Sequence, residues 1–277
     1  MPEGPEIRRA ADRIQRALRG RQLEAVELLH NDLSAMAPAL VGSTVTAVDT
    51  RGKAMLTRFD CGLSLYSHNQ LYGRWYVMRA GNRPNTGRSL RVGLHTSKHS
   101  DLLYSATDIT LLTHEEELEH PFLLRIGPDI LDPTLTAGAV ARRLHEPTFA
   151  GRALASLYLD QAFLAGIGNY LRSEILYFAR VHPRARPVDL DHNALRRLAR
   201  QTLAVTWRSY RTGGVTNLAG RASAMQAAGA GFEDRRFAAY SRAGRRCYRC
   251  DRKIRRQDLA TRAVFWCAGC QPAPRRG

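Results

Sequence analysis

The chain opens Met1-Pro2-Glu3-Gly4-Pro5-Glu6, and this stretch contains a chemical device. With the initiator methionine removed, Pro2 carries a free secondary amine with carboxylates one and four positions further on. Proline as second residue favours that removal. A free α-amine has a reference pKa of about 7.7–8.0, so part of it is unprotonated near neutral pH. It can attack an aldehyde-like sugar carbon, and a secondary amine then yields an iminium ion that keeps its positive charge. That charge acidifies neighbouring C–H bonds and weakens neighbouring C–O bonds. The competing reading is a frayed, extended chain end.

A second constellation lies at the other end. Cys247-x-x-Cys250 and Cys267-x-x-Cys270 are separated by 16 residues. Two close pairs joined by a hairpin-length segment suit a tetrahedral thiolate zinc site, so one structural zinc ion is expected. Two disulfides are the alternative, but nothing else suggests export. The module is too small for a core of its own and should depend on metal to fold. From Arg235 onward the chain has 13 basic residues against 2 acidic ones. The hairpin carries Arg255, Arg256 and Arg262, with Phe265 and Trp266 on its return strand, which suits contact with phosphates. Cys61 stands apart and reads as a buried thiol.

The elements that must hold these residues follow from pattern. Pro5 suits the first helical position, Glu6 suits the first turn, and Ile7, Ala10, Ala11, Ile14, Ala17 and Leu18 recur at helical spacing. A helix starting at residue 5 would hold Pro2 and Glu3 against the folded body. Candidate strands follow at Leu23–Leu29, Thr44–Phe59 (broken at Arg51-Gly52), Leu63–Ser67, Gly73–Met78 and Leu90–Thr96, with a further pair in Leu102–Leu112. Arg79–Arg88 reads as an exposed loop. Character changes near Pro128–Pro133. Helices are then expected at Ala137–Leu144, Leu154–Leu164, Tyr170–Ala179 and Asp191–Trp207, with a glycine turn, Ala165-Gly166-Ile167-Gly168-Asn169, between the second and third. Arg211–Gly231 shows no periodicity and reads as mobile. His114–His120 has its histidines six apart, not the four of a metalloprotease helix, and reads as a solvated acidic face.

The chain has 277 residues and a formal charge of +17, with only Lys53, Lys98 and Lys253 as lysines. That excess favours a polyanion, nucleic acid before membrane. No apolar run of membrane-spanning length and no signal peptide is found, so a cytoplasmic location is the default.

Three landmarks in order carry a resemblance: the Pro2 start, the Gly166/Gly168 turn and the four-cysteine end. With MPEGPEIRRAADR, TRGKAMLTRF, LYSHNQLYGRW, HPFLLRIGPDILDP and LDQAFLAGIGNYLRSEIL, the chain resembles the bacterial formamidopyrimidine-DNA glycosylase/endonuclease VIII family over nearly its whole length. The resemblance implies a multidomain α+β protein. It has an N-terminal β-sandwich with flanking helices (1–130), a helical helix–two-turn–helix domain (131–235) and a C-terminal zinc-finger β-hairpin (236–277). It also implies a monomeric bacterial enzyme of base excision repair, associated with the nucleoid through damaged double-stranded DNA. The enzyme is expected to be a bifunctional glycosylase and abasic-site lyase cleaving by β,δ-elimination.

By the same matching, Pro2 attacks the sugar of a flipped-out nucleotide and Glu3 serves as acid and base. Glu6 matches a supporting carboxylate, though a helix N-terminal charge explains it as well. Lys53 contacts phosphate and moves protons; read from the residues alone it is a solvated turn lysine. Arg262 grips the phosphate flanking the lesion and assists δ-elimination. Asn169 and Arg125 match DNA contacts, and Gln70-Leu71-Tyr72 matches the wedge that fills the gap left by the flipped base. An ordinary hairpin tip is the alternative for that triplet. Gly4 and the triplet lean toward oxidised pyrimidines. An oxidised-purine glycosylase and a non-catalytic damaged-DNA binder remain the alternatives.

Overall fold

A computed structural model describes residues 2–259 and 261–274, apart from the side chains of residues 31 and 32. The chain forms two compact units, Met1–Arg125 and Ile126–Gly277.

The first unit begins with α1 (Gly4–Leu18), which buries the expected apolar stripe. Its start is closed by Glu6, whose carboxylate accepts the Glu3 N–H at 3.0 Å. β1 (Ala25–Leu28) is followed by a 3-10 helix over Asn31–Leu40 that the sequence pattern does not announce. Seven further strands follow: β2 (Val45–Arg51), β3 (Ala54–Phe59), β4 (Ser64–His68), β5 (Arg74–Arg79), β6 (Leu90–His95), β7 (His99–Tyr104) and β8 (Asp108–Leu112). They make two antiparallel four-stranded sheets, β1-β6-β7-β5 and β2-β3-β4-β8. Leu28, Val92, Leu94 and Leu103 from one sheet share a core with Val45, Met55, Phe59 and Leu65 from the other, and α1 adds Ile7 and Ile14. This is the expected β-sandwich.

The acidic run forms α2 (His114–Glu119), capped by Thr113, and α3 (Pro121–Arg125) follows. The acidic face is solvated except at Glu117, which accepts two bonds from the Arg58 guanidinium at 2.6 and 2.8 Å. Cys61 is exposed, not buried as the sequence suggested. It sits at the tip between β3 and β4, where the chain reverses and Asp60 and Gly62 on either side are exposed as well.

The second unit contains α4 (Ala137–His145), α5 (Pro147–Ala150), α6 (Leu154–Leu157), α7 (Asn169–Ala179), α8 (His192–Arg211), α9 (Ala219–Ala227), α10 (Phe232–Arg236) and the hairpin β9 (Ile254–Leu259) and β10 (Arg262–Cys267). The helix expected over Leu154–Leu164 stops after one turn. Gln161 explains the interruption: its Nε2 donates to Leu159 and Ile167 carbonyls, both at 3.0 Å, and its Oε1 accepts the Gly166 N–H. Such local side-chain bonds compete with helix continuation.

Arg211–Gly231, read as mobile, instead holds α9 and two buried polar residues, Thr216 and Asn217. Their N–H groups both donate to the Arg236 carbonyl, and the Arg208 guanidinium donates to the Thr216 carbonyl at 2.6 Å. Hydrogen bonds order this segment, and apolar periodicity does not report them. The β9–β10 hairpin also departs from expectation. Ile254 and Phe265 join the same core as Leu171, Ile175 and Leu198, so packing on α7 supports it. Among the described residues no helix is long and apolar enough to cross a membrane.

Glu174 on α7 is fully buried, and it binds both neighbouring segments. Its carboxylate accepts from Thr216 Oγ1 at 2.5 Å and from the N–H groups of Ala238, Ala239 and Tyr240 at 2.9, 2.6 and 2.8 Å.

Asp101, at the centre of β7, is also buried, but neither carboxylate oxygen has a hydrogen-bond partner. Burial pushes its pKa up to about 8. The folded state therefore holds a proton that the unfolded state, with a carboxyl pKa near 3.9, releases. This contribution to stability is complete below about pH 4 and is lost as pH rises toward about 8. Replacing Asp101→Asn removes the titration. The variant's stability relative to wild type should rise with pH between about 5 and 8, by at most about 1.4 kcal/mol per unit. Urea unfolding at three pH values reads this directly, and a constant difference would contradict it.

Candidate active site and metal centre

The N-terminal residues are held by the helix they precede. The Glu3 carbonyl accepts the N–H groups of Glu6 and Ile7 at 3.0 and 3.1 Å, and the Glu3 side chain is buried. Glu6 Oε1 also lies 3.4 Å from Arg9 Nη2. The Glu6 carboxylate thus closes the helix start, and that is the structural role open to it from the sequence. Pro2, half-buried, lines a cavity of about 290 Å³ with Glu6, Arg13, Leu71, Tyr72, Arg74 and Arg88 among its walls. A nucleophile at position 2 would thus sit beside the expected wedge in a predominantly cationic setting.

The wedge is a locked turn. Gln70 has φ +48°, its N–H donates to His68 Nδ1 at 3.2 Å, and its Oε1 accepts the Thr107 hydroxyl at 2.7 Å. The Gly73 N–H donates to the Asn69 carbonyl at 2.7 Å. A Cβ at Gly73 would lie 2.6 Å from that carbonyl oxygen, so only glycine closes the turn this tightly. The Arg88 guanidinium donates to the Tyr72 carbonyl. The turn therefore presents Leu71 and Tyr72 to solvent at 56% and 68% exposure. Large apolar side chains projected from a rigid turn suit insertion between bases.

Lys53 occupies the second position of the two-residue turn between β2 and β3, after Gly52 at φ +64°. Glycine is the residue that accepts this φ without strain. Burial holds the His68 pKa down; Asp108 opposes that shift and the Lys53 charge adds to it. A neutral His68 can accept the Gln70 N–H, so Lys53 and the wedge turn are linked through one imidazole. Arg125 ends α3 with an exposed side chain.

In the second unit, Asn169 is the first residue of α7 and Arg262 begins β10 with its side chain exposed. Sequence reasoning missed what joins them. The buried Arg172 donates to Asn169 Oδ1 at 2.5 Å and to the Arg262 and Ala263 carbonyls at 3.2 and 3.0 Å. Arg88, Thr107 and His68 were missed as well. An arginine in a polar loop and a threonine in the link between β7 and β8 carry no periodic signal, and only contact reveals them.

The Sγ atoms of Cys247, Cys250, Cys267 and Cys270 lie within 4.8 Å of one another, a set able to hold one metal ion. Cys247 Sγ is 3.8 Å from Cys270 Sγ, and Cys250 Sγ is 3.3 Å from Cys267 Sγ. The Tyr177 hydroxyl lies 3.3 Å from Cys247 Sγ, which also accepts the Arg249 N–H at 3.4 Å. Hydrogen bonds to a thiolate of this kind orient a metal ligand.

The first unit is thus a sandwich with a buried Glu3 near its start, and the second is a helical unit ending in a four-cysteine hairpin. The formamidopyrimidine-DNA glycosylase N-terminal domain matches residues 1–108 and the formamidopyrimidine-DNA glycosylase H2TH domain matches residues 126–218. The chain belongs to this family, whose members are DNA glycosylases with abasic-site lyase activity. It is 46% identical over 271 residues to Endonuclease 8 of Klebsiella pneumoniae, covering 98% of this chain and 100% of that protein. To Endonuclease 8 of Escherichia coli it is 47% identical with the same coverage. The fold also matches Lactococcus lactis Fpg in complex with DNA containing an abasic site (TM-score 0.80, 17% identity, 98% of this chain and 100% of that one).

Replacing Cys250→Ser removes one of the four sulfurs able to hold a metal ion. Bound metal, measured by atomic emission, should fall well below the wild-type level. The fluorescence of Trp266, now packed against His182 with ring centroids 4.4 Å apart, should change as the hairpin loosens. Undiminished metal in this variant would mean that other groups hold the ion.

Proposed function

We propose that this glycosylase and lyase acts as a monomer on oxidised pyrimidines in duplex DNA, with the Pro2 nitrogen as nucleophile. The observation that carries the reading is the placement of Pro2 in one cavity with Leu71 and Tyr72, the residues exposed by the locked wedge turn. The wedge would fill the stack while the damaged nucleotide swings out to meet Pro2.

Excision of Met1 exposes the imino nitrogen. It attacks C1′, the C1′–N bond breaks, and the base departs with a proton. Glu3, buried next to the nucleophile, protonates O4′ as the sugar ring opens, which leaves an iminium ion. Loss of a C2′ proton then breaks the C3′–O bond, and loss of a C4′ proton breaks the C5′–O bond. Water hydrolyses the iminium and frees Pro2. Lys53 contacts the phosphate and moves protons during elimination. Its place in a two-residue turn fixes the base of its side chain. Arg262, Asn169 and Arg125 contact DNA. An arginine keeps its proton, so Arg262 acts first as a charge on the phosphate.

The metal is zinc, with a structural role. Tetrahedral Zn–S bonds of about 2.3 Å put sulfur atoms about 3.8 Å apart, and the four thiols need only small shifts to reach that spacing.

Borohydride should trap a covalent protein–DNA adduct on an abasic-site duplex. The adduct should vanish in Pro2→Gly and when a tag precedes Pro2. Failure of the processed wild type to be trapped would end this reading. On matched duplexes, thymine glycol should be excised faster than oxidised guanine; the reverse order would move the protein to the oxidised-purine branch.

A further inference from the structure

Arg172 lies on α7 with its side chain at 0% exposure. Burying a guanidinium is costly unless its donors are met, and an apolar residue would fill the same space more cheaply. Its neighbours show what the charge accomplishes. Nη1 donates to the Ala155 carbonyl at 2.8 Å and reaches the Leu259 carbonyl at 3.4 Å. Nη2 donates to Asn169 Oδ1 at 2.5 Å, to the Ala263 carbonyl at 3.0 Å and to the Arg262 carbonyl at 3.2 Å. A single planar fork thus ties the first residue of α7 to both strands of the β9–β10 hairpin near its turn. Ser173 adds a second tie: its Oγ donates to the Asn169 carbonyl at 3.1 Å and accepts the Phe265 N–H at 3.3 Å.

We propose that Arg172 is a positioning residue that prepares Asn169 and Arg262 to receive one DNA phosphate. This rests on the reading of those two residues as phosphate contacts. Asparagine offers one acceptor and two donors on its amide. With Oδ1 pinned by Arg172, Nδ2 is turned away from the guanidinium as the outward group, so the side chain presents donors to an anion. The same fork fixes the backbone at Arg262 and so sets where that side chain leaves the hairpin. Lysine cannot do both, because an ammonium lacks the fixed geometry of the fork.

Arg172→Lys, purified with its metal, should bind an abasic-site duplex about tenfold more weakly, as expected for lost charge-assisted positioning. The rate of covalent trapping at saturating DNA should stay near that of wild type, so the loss appears in half-saturation rather than turnover. Asn169→Ala should also weaken binding, and the double variant should be weaker than either single one but by less than the product of their effects, because Arg172 acts partly through Asn169. A fully multiplicative double variant, or wild-type binding by Arg172→Lys, would overturn the proposal. Asn169→Asp gives a second arm should the lysine variant lose its metal. Its carboxylate keeps the Arg172 bond, so thermal stability should match or exceed wild type. Its second oxygen then faces the phosphate, so DNA binding should fall below that of Asn169→Ala. A drop in stability equal to that of Asn169→Ala would mean that Arg172 does not hold this side chain. Wild-type binding by Asn169→Ala would overturn both the proposal and the assignment of Asn169, while leaving the Pro2 chemistry standing.

Discussion

The second unit is organised around a buried helix that carries charge. Along most of α7 every residue is buried, and three consecutive positions, Arg172, Ser173 and Glu174, are polar. Between them they fasten other pieces of chain. Arg172 and Ser173 bind the hairpin, and Glu174 binds residues 238–240 and Thr216. Removing one hydrogen-bond partner from such a buried charged group typically costs about 1.5–3 kcal/mol, because the desolvated charge is then less well met. Bonds to α7 therefore help to hold the cysteine hairpin. Its strand β10 is registered against α7 by directional bonds, which an apolar contact would not supply.

The first unit solves a different problem, that of holding a chain end still. Terminal residues fray unless something ties them down. Here Glu6 closes the helix over the Glu3 N–H, and the apolar stripe of α1 seats in the sandwich core. The wedge turn is fixed by comparable means: His68, Thr107, Gly73 and Arg88 each make one local bond to it. Both elements thus rest on the sheets through short, specific contacts.

Adjacent carboxylates in this unit play different parts because their surroundings differ. Glu3 is buried beside Pro2, whereas Glu6 accepts a backbone N–H and faces Arg9. Asp101 shows the cost of omitting such partners. It lies in the same sandwich with neither oxygen bonded, and its proton is retained far above the ordinary carboxylate range.

The sequence by itself determined the elements whose signals are local. The α1 stripe, the strands broken at Arg51-Gly52 and the cysteine pairs were legible because period, turn residues and ligand spacing are properties of neighbours along the chain. Only the tertiary structure decided the rest. Leu154–Leu164 could not show that Gln161 would break it, Arg211–Gly231 could not show its order, and Cys61 could not show its exposure. The partnership of Arg172 with Asn169 and Arg262 spans up to 90 positions, between Arg172 and Arg262. Hydrogen bonds between distant segments leave no periodic trace in either one, because each donor and acceptor takes its meaning from what folding places beside it.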